Sequence, residues 1–539
     1  MTRCSALAGG VLLALLPMAA RPATGQQADS VAAAPRPLQP LPRLGGPEEI
    51  RARAAMLLGD SLAHVSFIRS THARAPRLPG DPGAFRWALV APELRTAWNS
   101  QIPLSLNDGS MWAGRGWTTW IMAGARARYG PVSVILAPEV GYAQNRSFAV
   151  RPSSKPGFSS FVPPWYTTPP SLDLPYRPGD LGFAIFTPGQ SSIAATAGPV
   201  EVGAATEDQW WGPGIDNAIV LSDNAAGIPH LFARTAAPLR TPIGWVEATW
   251  MAGALTESLY FDTVSTNNLR SISGLAVSLR TVWDPDLTLG LTRVVYAPVG
   301  GSGDLPGHSL DVFTRWNGPA RVAGESTPEQ IASLFWSWTF PHNGLELYGE
   351  WARLELPTSF RDLLLAPEHT QGYTLGLEWA NELGDSSRVL RFRTELTDLE
   401  QSSTAKYRPT SFFYVSRSIP QGYTNRGQVV GAAIGPGAST QRLALDYLAP
   451  RWHVGIFGAR IRWANDAYYR SPNGTSPVGH DVSVLGGVRA SARLRFGDVT
   501  AELVRERRLN YLFQNVAAGF GKEGAVDVGN TLFRLSFRP

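Results

Sequence analysis

The chain is poor in sulfur and in charge. Its 539 residues hold one cysteine and six methionines, and Asp, Glu, Lys and Arg together make up 17%. The cysteine, Cys4, lies ahead of an apolar N-terminal run, so disulfides, thiolate zinc sites and cysteine nucleophiles drop out. Forty-eight Lys plus Arg against 43 Asp plus Glu leaves a formal charge of +5. The basic residues are dispersed without a run of five, which gives nucleic-acid binding little support. Beyond the N-terminal run no stretch approaches the roughly 18 apolar residues of a membrane-spanning helix. The eight histidines form no H-x-x-x-H pair, no G-x-S-x-G elbow occurs, and neighbours such as His480 and Asp481 point to opposite faces of a strand. No catalytic residue, metal or cofactor is expected.

What the chain does have is glycine and aromatics: 54 Gly, 18 Trp, 15 Tyr and 22 Phe. Arg3, the apolar stretch Ala6 to Leu16 and Ala23-Thr24-Gly25 predict a Sec signal peptide over 1–25. A flexible Pro- and Ala-rich leader is expected over 26–46 and a periplasmic helical segment over 47–84. Ile50, Ala54, Leu57, Leu58, Leu62, Val65 and Ile68 share one face at 3.6 spacing, and Gly59 interrupts them.

From residue 85 to 539 the period is two, arranged in hairpins. Leu275, Val277 and Leu279 alternate with Ala276, Ser278 and Arg280, and after Asp284-Pro285-Asp286 the alternation resumes through Leu287, Leu289 and Leu291. Leu334, Trp336, Trp338 and Phe340 repeat the pattern before Pro341-His342-Asn343-Gly344, and Leu390, Phe392 and Leu396 repeat it opposite Arg391, Arg393 and Glu395. A soluble β-sandwich also alternates. Three features favour a membrane barrel instead: aromatics gather beside turns (Trp283, Trp338, Phe340, Trp379, Trp452, Phe496), short turns alternate with long connections such as 143–180 and 402–440, and Phe533, Leu535 and Phe537 alternate at the end. At roughly 25 residues per strand with its connection, about 18 strands are expected. The reading is an all-β, transmembrane antiparallel β-barrel with a short N-terminal helical segment, in the outer membrane and in contact with its lipid.

The densest unusual stretch is Trp210-Trp211-Gly212-Pro213-Gly214, followed by Asp216, Asn217 and Ser222-Asp223-Asn224-Ala225. It resembles the signature of the Wzi capsule-assembly family. Asn107-Asp108-Gly109 with Gly114-Arg115-Gly116, Ala137-Pro138-Glu139 and Gly422-Tyr423-Thr424-Asn425-Arg426-Gly427 are similar to further family stretches in the same order, so the resemblance spans about residues 85 to 450. It implies an eighteen-stranded outer-membrane barrel with a periplasmic helical element, a lectin that attaches capsular or extracellular polysaccharide to the cell surface. It also implies polysaccharide export machinery as a neighbour; a monomer is expected.

Candidates for polysaccharide contact are Trp210, Trp211, Asp216, Asn217, Asn224, Asp108, Arg115, Tyr423 and Arg426. Aromatic faces stack on pyranose C–H surfaces, while amides, carboxylates and guanidiniums fork to hydroxyls or uronates. The competing reading has Trp210 and Trp211 packing a turn, Asp108 and Arg115 paired in the lumen, and Tyr423 and Arg426 in a solvated loop. The alternative function is a porin or solute channel, with the 47–68 helix arguing for a plugged lumen.

Overall fold

The structure is a computed structural model that describes residues 38, 40–60, 65–75, 78, 83–315, 327–384, 387–470, 479–514 and 526–539. The signal peptide and most of the leader lie outside the described residues.

Eighteen antiparallel strands close into a barrel. Closure joins the first strand, Arg86–Asn99, to the last, Val528–Arg538, in a register running from Leu94 opposite Phe537 to Asn99 opposite Leu532. Three early strands are broken where proline withholds a ladder donor. Pro92 sits at the register shift between Val90 and Glu93. Pro138 separates Val132–Leu136 from Glu139–Ala143, and Pro188 separates Phe183–Thr187 from Ser192–Ala197. The Ala137-Pro138-Glu139 stretch is thus a break within a strand.

The alternation read from the sequence sorts inside from outside. On Glu329–Phe340, Leu334, Trp336 and Trp338 are exposed to the surroundings, while Ser333, Phe335 and Ser337 are buried in the lumen. The connections Gly130-Pro131, Gly198-Pro199 and 341–344 are short and gather at one end, with Trp283, Trp338, Trp452 and Phe496 exposed beside such turns. Connections 144–182, 206–229 and 399–438 leave the other end. Outer-membrane barrels keep short turns in the periplasm and long loops outside.

The apolar core lies inside the cylinder. Loop residues Leu172, Trp211, Ile219, Leu221, Phe261, Phe413, Tyr414 and Tyr423 pack there against inward-facing wall residues such as Met251, Ile272 and Ile331. The mouth at the short-turn end is covered by the helix Pro47–Leu57. Pro47 opens it, Glu48 and Glu49 occupy its first turn, and it buries Glu49, Ile50, Arg53, Ala54 and Leu57. Ile50 and Ala54 pack on Leu448, and Arg51 donates to the Trp452 carbonyl at 3.0 Å. Gly59, at φ +83°, turns the chain out of the helix. Ile68, placed on the same helical face by its spacing, instead lies in the strand Ile68–Ser70, which pairs with Gln209–Trp211 inside the lumen.

Candidate functional site

The Trp-Trp-Gly-Pro-Gly segment hangs in the lumen, and its backbone explains why the surrounding wall is charged. After Trp211 the chain turns through Gly212 at φ +112°, where a Cβ would come within 3.2 Å of the Glu350 carboxylate. The turn leaves three successive amides unpaired by secondary structure. Glu395, on the strand Val389–Asp398, collects them: its carboxylate accepts from the N–H groups of Ile215 at 2.7 Å, Asp216 at 3.1 Å and Asn217 at 2.9 Å. Tyr348 donates its hydroxyl to the same carboxylate at 2.8 Å, and Glu350 accepts from the Ile219 amide at 3.1 Å. Buried amides require such acceptors in a space without bulk water.

Arginines from the N-terminal segment fasten the carbonyl side. Arg69 donates to the Gly212 and Gly214 carbonyls at 3.1 Å each, pairs with Glu49, and lies 5.3 Å above the Trp210 ring. Arg53 donates to the Pro213 carbonyl at 3.2 Å and pairs with Glu346 at 3.1 Å and Glu378 at 3.5 Å. Helix, turn and barrel wall therefore share one hydrogen-bonded network. Further along, Tyr414 and Tyr423 stack at 5.9 Å and donate to the carbonyls of Ile219 and Val220, at 2.8 Å each.

These contacts place the candidate residues one by one. Trp210 and Trp211 are 3% and 0% exposed; their indoles donate to the Gly214 carbonyl and the Gln209 side chain, so neither ring offers a face to an outside glycan. Tyr423 and Asn217 are buried in the plug, and Asn224 ties it to the Val429 carbonyl at 2.9 Å. Asp216 lies between Arg393 and Arg442, at 3.4 Å from each. Asp108 and Arg115 do not pair with each other: Asp108 meets Arg534 at 2.9 Å, and Arg115 donates to the carbonyls of Ser100 and Ser147. Arg426 alone of the nine has an exposed side chain. The structure thus joins seven of the candidates to the buried packing and leaves Arg115 and Arg426 toward the surface. Sequence reasoning missed Arg53, Arg69, Glu350 and Glu395. The signal for Glu350 and Glu395 is their place on inward positions of alternating strands; Arg53 and Arg69, on the N-terminal helix and the short strand after it, carry no such signal.

A porin needs an aqueous passage, and this lumen is filled with apolar side chains and hydrogen-bonded backbone. The outer rim is also braced. Asp173, in connection 144–182, accepts from the Ser258 amide at 2.7 Å and hydroxyl at 2.6 Å, and its own amide donates to the Gln421 carbonyl at 3.1 Å. Three external loops meet at this residue. Burial pushes its carboxyl up to about 6, against the opposing pull of the Ser258 hydrogen bonds.

Against curated proteins the sequence finds no match. Among solved structures, the Escherichia coli outer-membrane protein Wzi, described as a carbohydrate-binding β-barrel involved in group 1 capsule assembly, superposes with a TM-score of 0.54 at 12% identity, covering 83% of this chain and 84% of that one. Pseudomonas aeruginosa OccK5 (OpdH) gives a TM-score of 0.38 at 10% identity over 84% and 97% of the two chains, and OccD3 (OpdP) gives 0.40 at 10% identity over 86% and 95%. The first of these supports the barrel fold. Residues 107–451, which include the whole luminal turn and its partners Glu350 and Glu395, match the capsule assembly protein Wzi family, and the chain is a member of that family in the outer membrane.

Proposed function

We propose that the protein is a non-catalytic outer-membrane lectin that holds capsular or extracellular polysaccharide at the cell surface with its external loops, as a monomer. The observation that carries this reading is the filled lumen. A barrel that spends its interior on bracing its own loops is built to present a surface rather than to pass a solute. On that surface Tyr407 and Tyr469 are 92% and 69% exposed, and Phe360 is exposed on a third loop tied to the Tyr407 loop by the Arg408–Asp362 pair at 2.7 Å. Exposed aromatic faces beside fixed guanidiniums suit the C–H faces and acidic groups of a polysaccharide. In this reading Trp210, Trp211 and Tyr423 set the loops in place from below, and Arg115 and Arg426 lie nearer the glycan.

Deleting the gene should release cell-bound polysaccharide into the medium. Purified barrel should retain polysaccharide from the same cells, and Tyr407→Ala with Tyr469→Ala should weaken retention several-fold while the heat-modifiable mobility of the barrel is kept. Unchanged polysaccharide retention in the deletion strain would rule the role out.

A further inference from the structure

Beneath the luminal turn, on the periplasmic side, lies a cavity of about 280 Å³. Its lining runs from the exposed Arg451 and Arg493 to Asp216 of the luminal turn. Its wall holds more guanidinium than carboxylate at close range. Arg393 and Arg442 share Asp216, each at 3.4 Å; Arg489 and Arg534 share Glu502, at 2.6 and 3.0 Å, and Arg534 also reaches Asp108. Arg442 and Arg489 flank the Phe457 ring at 4.3 and 5.9 Å from its centre. The arrangement is built by the fold, since Arg393, Arg442 and Arg489 stand on the strands Val389–Asp398, Ser439–Leu448 and Val482–Leu494 and all turn inward.

Two of these arginines are under-used. Arg393 is 7% exposed and its Nε finds no hydrogen-bond partner among the described residues; Arg442 Nε and Asp216 Oδ2 take part only in the 3.4 Å ion pairs, without a hydrogen bond of good geometry. A buried guanidinium with few hydrogen bonds is costly, and two that share one carboxylate keep a surplus positive charge. The planar fork of such a pair matches a carboxylate or phosphate. Across the cavity Leu485, Val504 and Leu532 supply an apolar wall that suits the C–H face of a sugar ring.

We propose that this periplasm-facing cavity binds a saccharide bearing an oxyanion, of hexuronate type, with its carboxylate held by Arg393 and Arg442. The saccharide part rests on the polysaccharide reading above; the site itself lies at the opposite end of the barrel from the external loops.

Calorimetry on the purified, detergent-solubilised protein with glucuronate, glucose and inorganic phosphate tests it. Glucuronate should bind and glucose should not, with affinity falling as salt is raised. Arg442→Gln should weaken glucuronate binding about tenfold or more, the order expected for a charge-assisted hydrogen bond. Ala459→Phe, which fills the cavity and leaves every charge in place, should abolish it, and heat-modifiable mobility reports that both variants fold. Failure of wild-type protein to bind glucuronate, equal binding of glucose, binding of phosphate with glucuronate excluded, or unaltered binding in both variants overturns the proposal. Because Tyr407→Ala and Tyr469→Ala act only on the outer loops, polysaccharide retention without glucuronate binding sinks the cavity and spares the lectin; loss of retention by the wild type sinks the lectin.

Discussion

Glu395→Ala tests whether the luminal turn is what shuts the barrel. The substitution removes the acceptor of three backbone amides and of the Tyr348 hydroxyl, all at 2.7–3.1 Å. Hydrogen bonds to a charged group contribute roughly 1.5–3 kcal/mol each, and stranding a buried donor costs about 1–3 kcal/mol. Part of this loss is recovered as water enters, so a net penalty of about 4–6 kcal/mol on the seated turn is expected, at the scale of whole-domain stability. Each 1.4 kcal/mol is tenfold in population, so the unseated turn should become about a thousand times more frequent or more. The barrel ladder is untouched, since the neighbours of Glu395 pair through their backbones with both adjoining strands. The assay is therefore conductance in a planar lipid bilayer, with heat-modifiable mobility as the control for the barrel. Wild-type protein should stay closed, and the variant should open in discrete steps and be cut by protease within 212–229. A variant that stays closed and resists protease like the wild type would refute the claim that Glu395 holds the plug.

Arg53→Met should cost about 3–5 kcal/mol, because it leaves Glu346 buried without its cation beside Glu378, which keeps Arg391; chemical denaturation of the 47–57 helix at a lower urea concentration than the barrel would show it. Trp211→Ala should cost about 3–5 kcal/mol through the cavity it leaves, and Gly274→Ala about 1–3 kcal/mol, since its Cβ would lie 2.8 Å from the Trp211 ring; thermal unfolding followed by aromatic circular dichroism measures both. Asp173 provides a pH dependence. Its folded value of about 6 stands above the ordinary 3.8, so the folded loops bind its proton more tightly than the unfolded chain does. The linked stabilisation is absent above pH 6, grows as pH falls, and reaches about 3 kcal/mol once pH drops below 3.8. Limited proteolysis of the 144–182 and 257–268 loops should slow between pH 7 and 5, and Asp173→Asn should remove part of that dependence, the rest coming from Glu257, which accepts from the Gln421 side chain and which burial pushes up to about 7.

The barrel was legible because its chemistry is local. Each strand meets lipid on one side and protein on the other, so Leu334, Trp336 and Trp338 against Ser333, Phe335 and Ser337 reveal the wall without any knowledge of distant residues. The turn Asp284-Pro285-Asp286 and the long connection around 402–440 were legible for the same reason. The plug was not, because nothing along it alternates. Gln209, Trp210 and Trp211 are all buried, on both faces of a strand whose partner, Ile68–Ser70, lies 140 residues earlier. Ile68 fits the helical period by spacing alone, and the left-handed Gly59 decides against it.

The same contrast accounts for the reading of Trp210 and Trp211. A tryptophan pair beside Gly-Pro-Gly looks like a sugar platform while the surroundings are unknown, since the residue types are those a lectin uses. What settles their surroundings is the demand of the backbone that follows: Gly212 to Ile219 presents bare amides and carbonyls that a lipid-embedded cylinder must satisfy internally. Glu395 and Glu350 answer the amides, and Arg53 and Arg69 answer the carbonyls. Two charges that alternation alone would assign to a wet channel, Glu350 and Glu395, are thereby consumed in closing it, together with two arginines of the N-terminal segment. Arg393 and Arg442 face the same interior without such backbone partners, which separates the charges that build the plug from those left available to a ligand.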